Sequence, residues 1–451
     1  MDADPRTLSG RHAAGISPSQ LSSQDAPTKF RWLILSLISG IYLICYLDRG
    51  NIGVAQLEIA KQFGLSKTTM GLVLAVFTWA YAVGQVPFGW LGDRFGPRKV
   101  LVALLSVTNL ATIMTGAAIG TVSLVSARLL LGFGESGAFP VSTRAMQLWF
   151  PRSERGRIQG ITHLFSRLAV AITPLLSGSI ILVFGWRAIF YIFGTVGAIW
   201  TLLFYWVFRD SPENHSRVNP AELAKIRGIN PDPTPRTVAM SRQVVPWRSI
   251  LTSFNMWAIA LGYCCFFFGT NFYLTWYPTY LREYRHLSLQ ALGLLGSIPL
   301  IAGMVGDIVG GSLTDVLLTK TGSARLARCA VAAPGFLLAA VFIIPAAMTE
   351  SALVSILCLA ASFFFLEWVI GPAWAVPMDV GGQFSGTVTA IMNTAGALAA
   401  SLTAVIYGRL FDQGMWVAPF FVSAGVMVLG ALIWTFLIYP AKSVVAPAGK
   451  E

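Results

Sequence analysis

The stretch from Trp32 to Ala55 has the sequence WLILSLISGIYLICYLDRGNIGVA, and its only charged residues are the adjacent pair Asp48 and Arg49. At about 1.5 Å per residue, an α-helix of this length crosses the roughly 30 Å hydrocarbon core of a bilayer. An ionised side chain near the bilayer centre costs about 2.5–3.5 kcal/mol, so such residues face a cavity, pair with each other or bind a charged ligand. The stretch therefore predicts a membrane helix in which Asp48 and Arg49 face a cavity, pair with each other or bind a charged ligand.

Charged residues also occur inside later apolar segments. Arg128 and Glu135 share one segment, Arg167 lies in another, and Asp307 lies in a third. Hydrophobic residues make up 55% of the chain and charged residues 12%, whereas soluble domains carry about 25% charged residues. These proportions exclude a soluble fold and indicate a membrane protein with a polar or charged pathway.

Twelve apolar segments are long enough to cross a bilayer, and polar residues 209–250 divide them into two groups of six. We therefore predict an all-α polytopic membrane protein, with twelve transmembrane helices in two pseudo-symmetric six-helix bundles at 31–208 and 251–440. The predicted helices 1 to 12 are 32–56, 68–91, 98–119, 121–149, 156–183, 186–208, 251–281, 288–318, 325–348, 351–378, 384–410 and 414–439.

Three polar segments lie outside the predicted bundles. Residues 1–30 are predicted to form a disordered cytoplasmic tail, because they are polar and lack the apolar core of a signal peptide. Residues 441–451 are predicted to form a second cytoplasmic tail. The segment 209–250 is predicted to be a cytoplasmic linker with one short helix at Pro220–Arg227, begun by Asn219.

Lysine and arginine gather in the loops on one side of the predicted bundles. Because positively charged loops remain in the cytoplasm, both termini are predicted to be cytoplasmic, in a protein of the cell's inner (plasma) membrane. This distribution also explains the net charge of +12, so no nucleic-acid partner is expected. The five cysteines lie in apolar segments without the spacing of metal ligands, and neither a metal nor a cofactor is predicted.

Helices 2 and 8 end in the same short motif. Residues 89–93 are GWLGD and residues 311–315 are GSLTD, and each G-x-L-x-D motif leads into a basic loop that contains a glycine. Two parallel halves related by an axis along the membrane normal are expected to show such a repeat. The longer stretch GWLGDRFGPRK at 89–99 resembles the loop 2–3 signature of the major facilitator superfamily.

This resemblance implies a gate in the loop, and the predicted gating residues are Gly89, Asp93, Arg94, Gly96 and Arg98. We expect Asp93 to lie against the positive N-terminus of helix 11, near Gly382–Ser385, and the basic residues to pair with loop carboxylates. The alternative is an ordinary positively charged loop with no gating role.

Other stretches resemble the anion:cation symporter family within that superfamily. They are YLDRGNIGVA at 46–55, FTWAYAVGQ at 77–85, the spacing of Arg128, Glu135 and Pro140 in helix 4, and LTWYPTYL at 274–281. The family includes proton-driven importers of sugar acids and relatives of sialic acid and vesicular glutamate carriers. The resemblance implies proton coupling by Asp48 and Glu135, and substrate binding by Arg49 and Arg128.

The chemistry of these residues is compatible with those roles. Arg128 and Glu135 are seven residues apart, so they share one helix face about 10 Å apart along the axis. Arginine offers a planar fork of donors to a carboxylate, and a buried glutamate can load and release a proton. A purely structural ion pair is the alternative. Arg49 and Tyr46 share a stripe that is predicted to face the cavity, which turns Asp48 toward a neighbouring helix.

The remaining predicted substrate contacts are Tyr46, Tyr81, Ser166, Arg167, Trp374 and Asn393. The sequence departs from the sugar-acid importers at Ser166-Arg167 in helix 5 and around Glu367 in helix 10. Arg167 is either a third cation of the cavity, which favours dicarboxylates, or the partner of a carboxylate across the two halves. The roles of His163, Asp307 and Glu367 stay open, although the glycines around Asp307 favour close helix packing.

Taken together, the sequence predicts a secondary transporter that moves an organic anion with protons by alternating access. The predicted cargo is a sugar acid such as an aldonate, a hexuronate or an aldarate, and coupling to sodium stays open. The expected partners are this small anion, protons and the lipid bilayer, and the protein is expected to be a monomer. An efflux antiporter of the same superfamily and a non-transporting membrane receptor are the alternatives. No nucleotide loop or nucleophile–base arrangement indicates an enzyme.

Overall fold

The computed structural model describes residues 26–65, 67–227, 245–287 and 295–445, and every regular element within these ranges is helical. Most of the predicted N-terminal tail, the middle of the linker, the predicted start of helix 8 and the end of the C-terminal tail lie outside the described residues. The helices below keep the numbers of the predicted transmembrane segments.

The first half contains helices 1 to 6. Helix 1 is Phe30–Phe63, helix 2 is Lys67–Phe95, helix 3 is Pro97–Gly116, helix 4 is Thr121–Ser136 continued by Ala138–Trp149, helix 5 is Arg155–Phe184, and helix 6 is Trp186–Val207.

The second half contains helices 7 to 12. Helix 7 is Phe254–Asn271 continued by wide turns to Tyr284, helix 8 is Ser297–Thr321, helix 9 is Ala324–Met348, helix 10 is Ala352–Glu367 continued by Ile370–Val380, helix 11 is Ser385–Asp412, and helix 12 is Ala418–Phe436.

Three helices are interrupted one turn before a proline. Helix 4 breaks after Ser136, four residues before Pro140, and helix 10 breaks at Trp368, four residues before Pro372. A proline has no backbone N–H and its ring collides with the carbonyl four residues earlier, so it bends or breaks a helix at that point. In helix 7 a wide turn over Phe272–Trp276 precedes Pro278 in the same way. The sequence-based prediction treated these helices as continuous.

Eleven of the helical segments in the described ranges are long and apolar enough to cross a membrane. The twelfth predicted span is helix 4, which has the required total length but is divided at Gly137. Large apolar side chains such as Val83, Leu182 and Trp206 are more than two-thirds exposed on the outer surface. A bilayer would cover such side chains, so the helices form a multi-pass membrane protein.

The two halves repeat the same packing arrangement. In the first half helix 1 packs on helix 5, helix 2 on helix 4 and helix 3 on helix 6. In the second half helix 7 packs on helix 11, helix 8 on helix 10 and helix 9 on helix 12. The main contacts between halves are those of helix 2 with helix 11 and of helix 5 with helix 8. Exchanging each helix for its counterpart in the other half, 2 for 8 and 11 for 5, converts one of these contacts into the other, as expected for two parallel repeats.

The short linker helix Pro220–Arg227 forms where it was predicted, and the Asn219 side chain caps it by accepting the Glu222 N–H at 2.9 Å. The Glu222 carboxylate in turn accepts the backbone N–H groups of Phe30 at 2.8 Å and of Arg31 at 3.1 Å. These groups belong to the first turn of helix 1, whose N–H groups have no partners within the helix. The linker helix therefore caps helix 1 and is fixed to the first half.

This cap predicts a dependence on pH. Burial alone raises the pKa of Glu222, but hydrogen bonds from Thr28, Arg31 and Phe30 outweigh burial and hold that pKa below its usual value of about 4.3. Stabilisation from a lowered pKa is present above the ordinary value and is lost as pH falls through the lower, folded value. We expect the linker helix to detach from helix 1 below about pH 4, measured as faster amide hydrogen exchange at Phe30 and Arg31 after correction for intrinsic rates.

The substitution Glu222→Gln should give the same fast exchange at neutral pH. Glu213→Gln is the matched control, because Glu213 pairs with Arg227 inside the linker at 2.6 Å. Protection of Phe30 and Arg31 that is independent of pH in the wild type would contradict the capping role of Glu222.

Candidate functional site

A cavity of about 320 Å³ lies between the two halves, and helices 1, 2, 4, 5, 7, 10 and 11 contribute to its wall. This volume lies in the range of small-molecule sites. Seven of the eight predicted substrate residues line it, namely Tyr46, Arg49, Tyr81, Ser166, Arg167, Trp374 and Asn393. Arg128 does not belong to this wall.

Arg49 is the cationic group that helix 1 presents to the cavity. Its Nε lies 2.6 Å from Oε2 of Glu135, which is fully buried, while Arg49 keeps 22% of its side chain exposed. Aromatic rings surround the guanidinium, with its Cζ 4.5 Å from the ring centre of Tyr81 and 5.0 Å from that of Tyr46. The rings exclude water on the sides of the ion pair, which strengthens its charge–charge attraction.

Asp48 and Arg128 lie behind this pair. Arg128 is 3% exposed, its Cζ lies 4.8 Å from the centre of the Phe77 ring, and Phe77 itself lines the cavity. Asp48 is 1% exposed and faces helix 4, where Arg128 and Glu135 are its charged neighbours. The four predicted charges of helices 1 and 4 therefore form one buried cluster, of which Arg49 alone reaches the cavity.

Hydrogen bonds across the halves form part of the cavity wall. The Asn393 amide of helix 11 donates to the Tyr81 hydroxyl at 3.1 Å and to Oε1 of Gln85 at 2.5 Å, both on helix 2. Gln85 belongs to the FTWAYAVGQ motif at 77–85, for which no role of Gln85 was predicted. Its position one turn after Tyr81 was the signal that could have identified it.

The second half contributes an aromatic wall. The Trp374 Nε1–H of helix 10 donates to the Tyr263 hydroxyl of helix 7 at 2.8 Å, and its ring centre lies 4.9 Å from that of His163. Tyr263 lines the cavity but was missed by the sequence analysis. Helix 7 is apolar on most of its surface, so its sequence does not distinguish a cavity-facing side.

Arg167 pairs with a carboxylate across the two halves, which was one of the two alternatives left open. Its Nη2 lies 2.7 Å from Oε1 of Glu367 in helix 10, and its Nε lies 4.0 Å from Oδ2 of Asp307 in helix 8. Both carboxyl side chains are fully buried, whereas Arg167 also lines the cavity. A β-carbon at Gly160 would lie 2.2 Å from the Asp307 carbonyl oxygen, so helices 5 and 8 pack closely here.

The end of the bundle that carries loop 2–3 and the linker, called the basic end below, is held by a contact that the sequence predicted. Asp93 of helix 2 accepts the N–H groups of Gly386 at 3.0 Å and of Thr387 at 2.6 Å, in the first turn of helix 11. The N-terminus of a helix carries a partial positive charge that a carboxylate stabilises. Arg144 lies 3.8 Å from the same carboxylate, and the sequence analysis did not identify it.

The repeated motif makes the same contact in the other direction. Asp315 of helix 8 accepts the N–H groups of Gly156 at 3.0 Å and of Arg157 at 2.7 Å, in the first turn of helix 5. Arg328 of helix 9 pairs with Asp315 at 2.7 Å and with Asp379 at 3.3 Å. Each half therefore places a carboxylate on a helix N-terminus of the other half, and the basic end is closed.

The other residues of the loop 2–3 signature stay within the first half. Gly96 has a φ of +88°, and a β-carbon there would lie 2.6 Å from the Asp210 carboxylate, which accepts the Arg98 N–H at 2.7 Å. The Arg98 side chain donates to the Tyr205 carbonyl at 2.6 Å, and Arg94 lies over the ring of Trp90. Of the predicted gating residues, Gly89 and Asp93 face the second half, since Gly89 approaches the backbone of Gly386.

No group of three or more His, Cys, Asp or Glu side chains that could hold a metal ion occurs among the described residues.

Comparison with known proteins gives consistent matches over most of the chain. The sequence model of the Major Facilitator Superfamily matches residues 38–404. A probable sulfoacetate transporter of Cupriavidus necator is 40% identical over 423 residues, which cover 94% of this chain and 97% of that protein. A probable galactarate/D-glucarate transporter of Escherichia coli K12 is 30% identical over 404 residues, covering 86% of this chain and 89% of that protein.

Two further matches extend the comparison. The chloroplastic ascorbate transporter of Arabidopsis thaliana is 30% identical over 410 residues, covering 90% of this chain and 74% of that protein. Among solved structures, the human organic anion transporter MFSD10 superposes with a TM-score of 0.67 at 14% identity, covering 91% of this chain and 100% of that one. At this identity the superposition supports the fold alone.

The Asp93 contact makes a testable prediction about closure of the basic end. Replacing Asp93 by Asn removes a charge–helix interaction of about 0.3–1 kcal/mol, or up to 2 kcal/mol in a buried geometry. States separated by a few kcal/mol shift measurably under such a change. Spin-label distances between helices 2 and 11 across the basic end should therefore lengthen on average, and Asp315→Asn should lengthen those between helices 5 and 8.

Asp210→Asn provides the matched control. Asp210 also accepts a helix N-terminal N–H, that of Arg98, but it lies at the start of the linker beside the first half, so this contact does not join the two halves. Its replacement should lower stability without changing distances between the halves. Equal distance distributions in the wild type and in both the Asp93 and Asp315 variants would refute a gating role for these contacts.

Proposed function

Because the chain belongs to the Major Facilitator Superfamily, we propose that it is a secondary transporter that carries a small organic anion together with protons. The membership confirms the family and the twelve-helix fold that the sequence predicted, and it identifies a transporter rather than an enzyme. Proton coupling, the identity of the cargo and the roles of individual residues are part of this proposal.

The observation that carries the proposal is the Arg49–Glu135 pair. Arg49 is exposed to the cavity, but its carboxylate partner is fully buried. A cargo anion that binds Arg49 must compete with Glu135 for the same guanidinium. A proton on Glu135 removes that competition, so protonation and anion binding favour each other. Release of the anion and the proton on the other side of the membrane restores the Arg49–Glu135 ion pair.

Asp48 and Arg128 support this exchange from behind. Asp48 is the second proposed proton carrier, since it shares its buried surroundings with Glu135 and Arg128. Arg128 holds positive charge beside both acids, and its proposed contact with the cargo requires the Phe77 ring to move aside. Tyr46, Tyr81, Ser166 and Asn393 offer hydroxyl and amide groups to the rest of the cargo.

Two classes of cargo are proposed. The relatives are named for galactarate and D-glucarate, for ascorbate and for sulfoacetate. A sugar acid fits the hydroxyl and amide groups of the wall. A short sulfonated acid is the second candidate, because the relative named for sulfoacetate shares 40% identity over nearly the whole of both chains.

The remaining proposals concern the cellular setting. We propose that the protein is a monomer in the inner membrane. Its basic end and both termini would lie in the cytoplasm, because positively charged loops stay inside. The closed basic end then corresponds to a state that is shut toward the cytoplasm. Asp93 and Gly89 hold this state, while Arg94, Gly96 and Arg98 keep loop 2–3 on the first half.

A thermal-shift screen tests the cargo class. A ligand at 100 times its Kd stabilises the folded protein by about 2.7 kcal/mol, so a true cargo should raise the Tm of the purified protein. Sulfoacetate, D-glucarate, D-galactonate and D-glucuronate form the panel, with uncharged glucose as the control. A shift with glucose but with none of the acids would contradict the proposed anion transport.

Coupling is tested by Glu135→Gln, because the amide resembles the protonated acid and cannot release a proton. We expect this variant to bind the cargo but to lose accumulation driven by a proton gradient in proteoliposomes. Asp48→Asn should also stop accumulation. Glu58→Gln is the matched control, because Glu58 is exposed near the C-terminal end of helix 1. Full concentrative uptake by the Glu135 variant would rule out the proposed role.

Anion binding is tested by Arg49→Lys and Arg128→Lys. Lysine keeps the charge but loses the planar fork, so the affinity for a carboxylate should fall about tenfold or more, roughly 1.4 kcal/mol. Calorimetry on the purified variants measures this loss. An unchanged Kd for Arg49→Lys would remove Arg49 from the binding site, and an unchanged Kd for Arg128→Lys would leave Arg128 as a partner of Asp48 and Glu135 only.

A further inference from the structure

A second buried charge cluster lies at the cavity, formed by Arg167, Glu367 and Asp307. Arg167 belongs to helix 5 of the first half, whereas Glu367 and Asp307 belong to helices 10 and 8 of the second half. The Arg167–Glu367 contact of 2.7 Å is therefore an ion pair between the halves inside the membrane-spanning region. Relative movement of the halves at this point must break or stretch it.

The cluster holds more carboxyl groups than one cation can satisfy. Arg167 supplies one positive charge to two carboxyl groups that are both fully buried. Within the described part of the chain, no hydrogen bond reaches either carboxyl oxygen of Asp307 or the Oε2 of Glu367. A buried carboxylate without a partner is very costly, so the cluster favours the uptake of a proton.

The surroundings of the cluster leave Arg167 as its cationic partner. The other titratable groups that face it are Tyr46 of helix 1, His163 of helix 5 and Tyr273 of helix 7. The His163 Nδ1 lies 2.9 Å from the Gln159 carbonyl oxygen, and the His163 ring packs against Trp374.

Arg167 lines the cavity together with Arg49, whereas Glu367 and Asp307 do not. A cargo can therefore reach both guanidinium groups but neither carboxyl group of the second half. A cargo with two acidic groups can pair with Arg49 at one end and with Arg167 at the other. Each arginine would then exchange a buried carboxylate of the protein for an anionic group of the cargo.

We propose that the Arg167–Glu367–Asp307 cluster is a second proton-binding site, in which Arg167 leaves Glu367 for the second anionic group of a dianionic cargo. One proton binds to the carboxyl pair as Arg167 departs, so the positive charge that leaves the cluster is replaced and its net charge stays the same. When the cargo leaves, the proton dissociates and Glu367 pairs with Arg167 again. The proposal rests on the proposed function. It makes separation of the Arg167–Glu367 ion pair, which joins the halves, dependent on both cargo and proton.

The test counts the protons taken up when a cargo binds. Calorimetry in two buffers of different ionisation enthalpy gives this number for the purified protein. D-glucarate and sulfoacetate are the dianionic probes, and D-gluconate and acetate are their counterparts without the second acidic group. The wild type should take up about one proton more with each dianion than with its counterpart.

Variants then locate this additional proton. The difference between dianion and monoanion should disappear in the double variant Glu367→Gln/Asp307→Asn, because either carboxyl group alone can still pair with Arg167 and take up the proton. Glu135→Gln is the matched control for the first half, and it should lower the proton count for both kinds of probe while keeping the difference.

The outcomes separate the two proposals. A difference that persists in the double variant Glu367→Gln/Asp307→Asn, or that is absent from the wild type, overturns the second proton site alone. A proton count that Glu135→Gln leaves unchanged overturns the coupling proposed for the first half instead. Failure of all four probes to bind the wild type overturns the cargo class, and with it the exchange at Arg167.

Discussion

A guanidinium inside a membrane protein keeps its positive charge, so it needs an anionic partner in every state of the protein. Arg49 meets this constraint with Glu135, and Arg167 meets it with Glu367. In each pair the arginine cannot lose its proton, whereas the carboxyl group can gain one. The pair therefore opens at low cost only when another anion replaces the carboxylate. In the proposed function, binding of an anion and binding of a proton are two parts of one exchange, which takes place at the cavity that both arginines line.

The contacts at the basic end follow a different physical rule. Asp93 and Asp315 interact with the N-termini of helices rather than with a single side chain. The donors are backbone N–H groups that have no partner within their own helix. Because both contacts join opposite halves, closure at this end uses the two repeats of the fold in the same way. Each carboxylate also has an arginine neighbour, Arg144 at 3.8 Å from Asp93 and Arg328 at 2.7 Å from Asp315.

The sequence was sufficient for the features that depend on composition or on a single helix. The apolar runs predicted the spans, the charges within them indicated the site, and the repeated G-x-L-x-D motif indicated two halves. The prediction that Asp93 meets the start of helix 11 combined the family resemblance of loop 2–3 with the polarity of a helix end.

The distance of a side chain from the cavity, and the side of the helix that faces the cavity, were harder to predict. The lipid-facing and protein-facing sides of a membrane helix are both apolar. The sequence did not show that Phe77 separates Arg128 from the cavity, or that Tyr263 faces it. The Arg167–Glu367 pair joins residues 200 positions apart, so only the folded arrangement of the halves could identify which carboxylate Arg167 would meet.

Helices 5, 8 and 10 meet at glycines near the basic end. A β-carbon at Gly311 would lie 2.4 Å from the Gly156 carbonyl oxygen, and one at Gly371 would lie 2.5 Å from the Gly311 α-carbon. Backbone thus rests on backbone at these two contacts. Helices that meet at glycines have few packed side chains to pull out of grooves when one helix turns on the other. We therefore expect the rate of relative motion between the halves to depend mainly on the polar contacts on either side of these glycines.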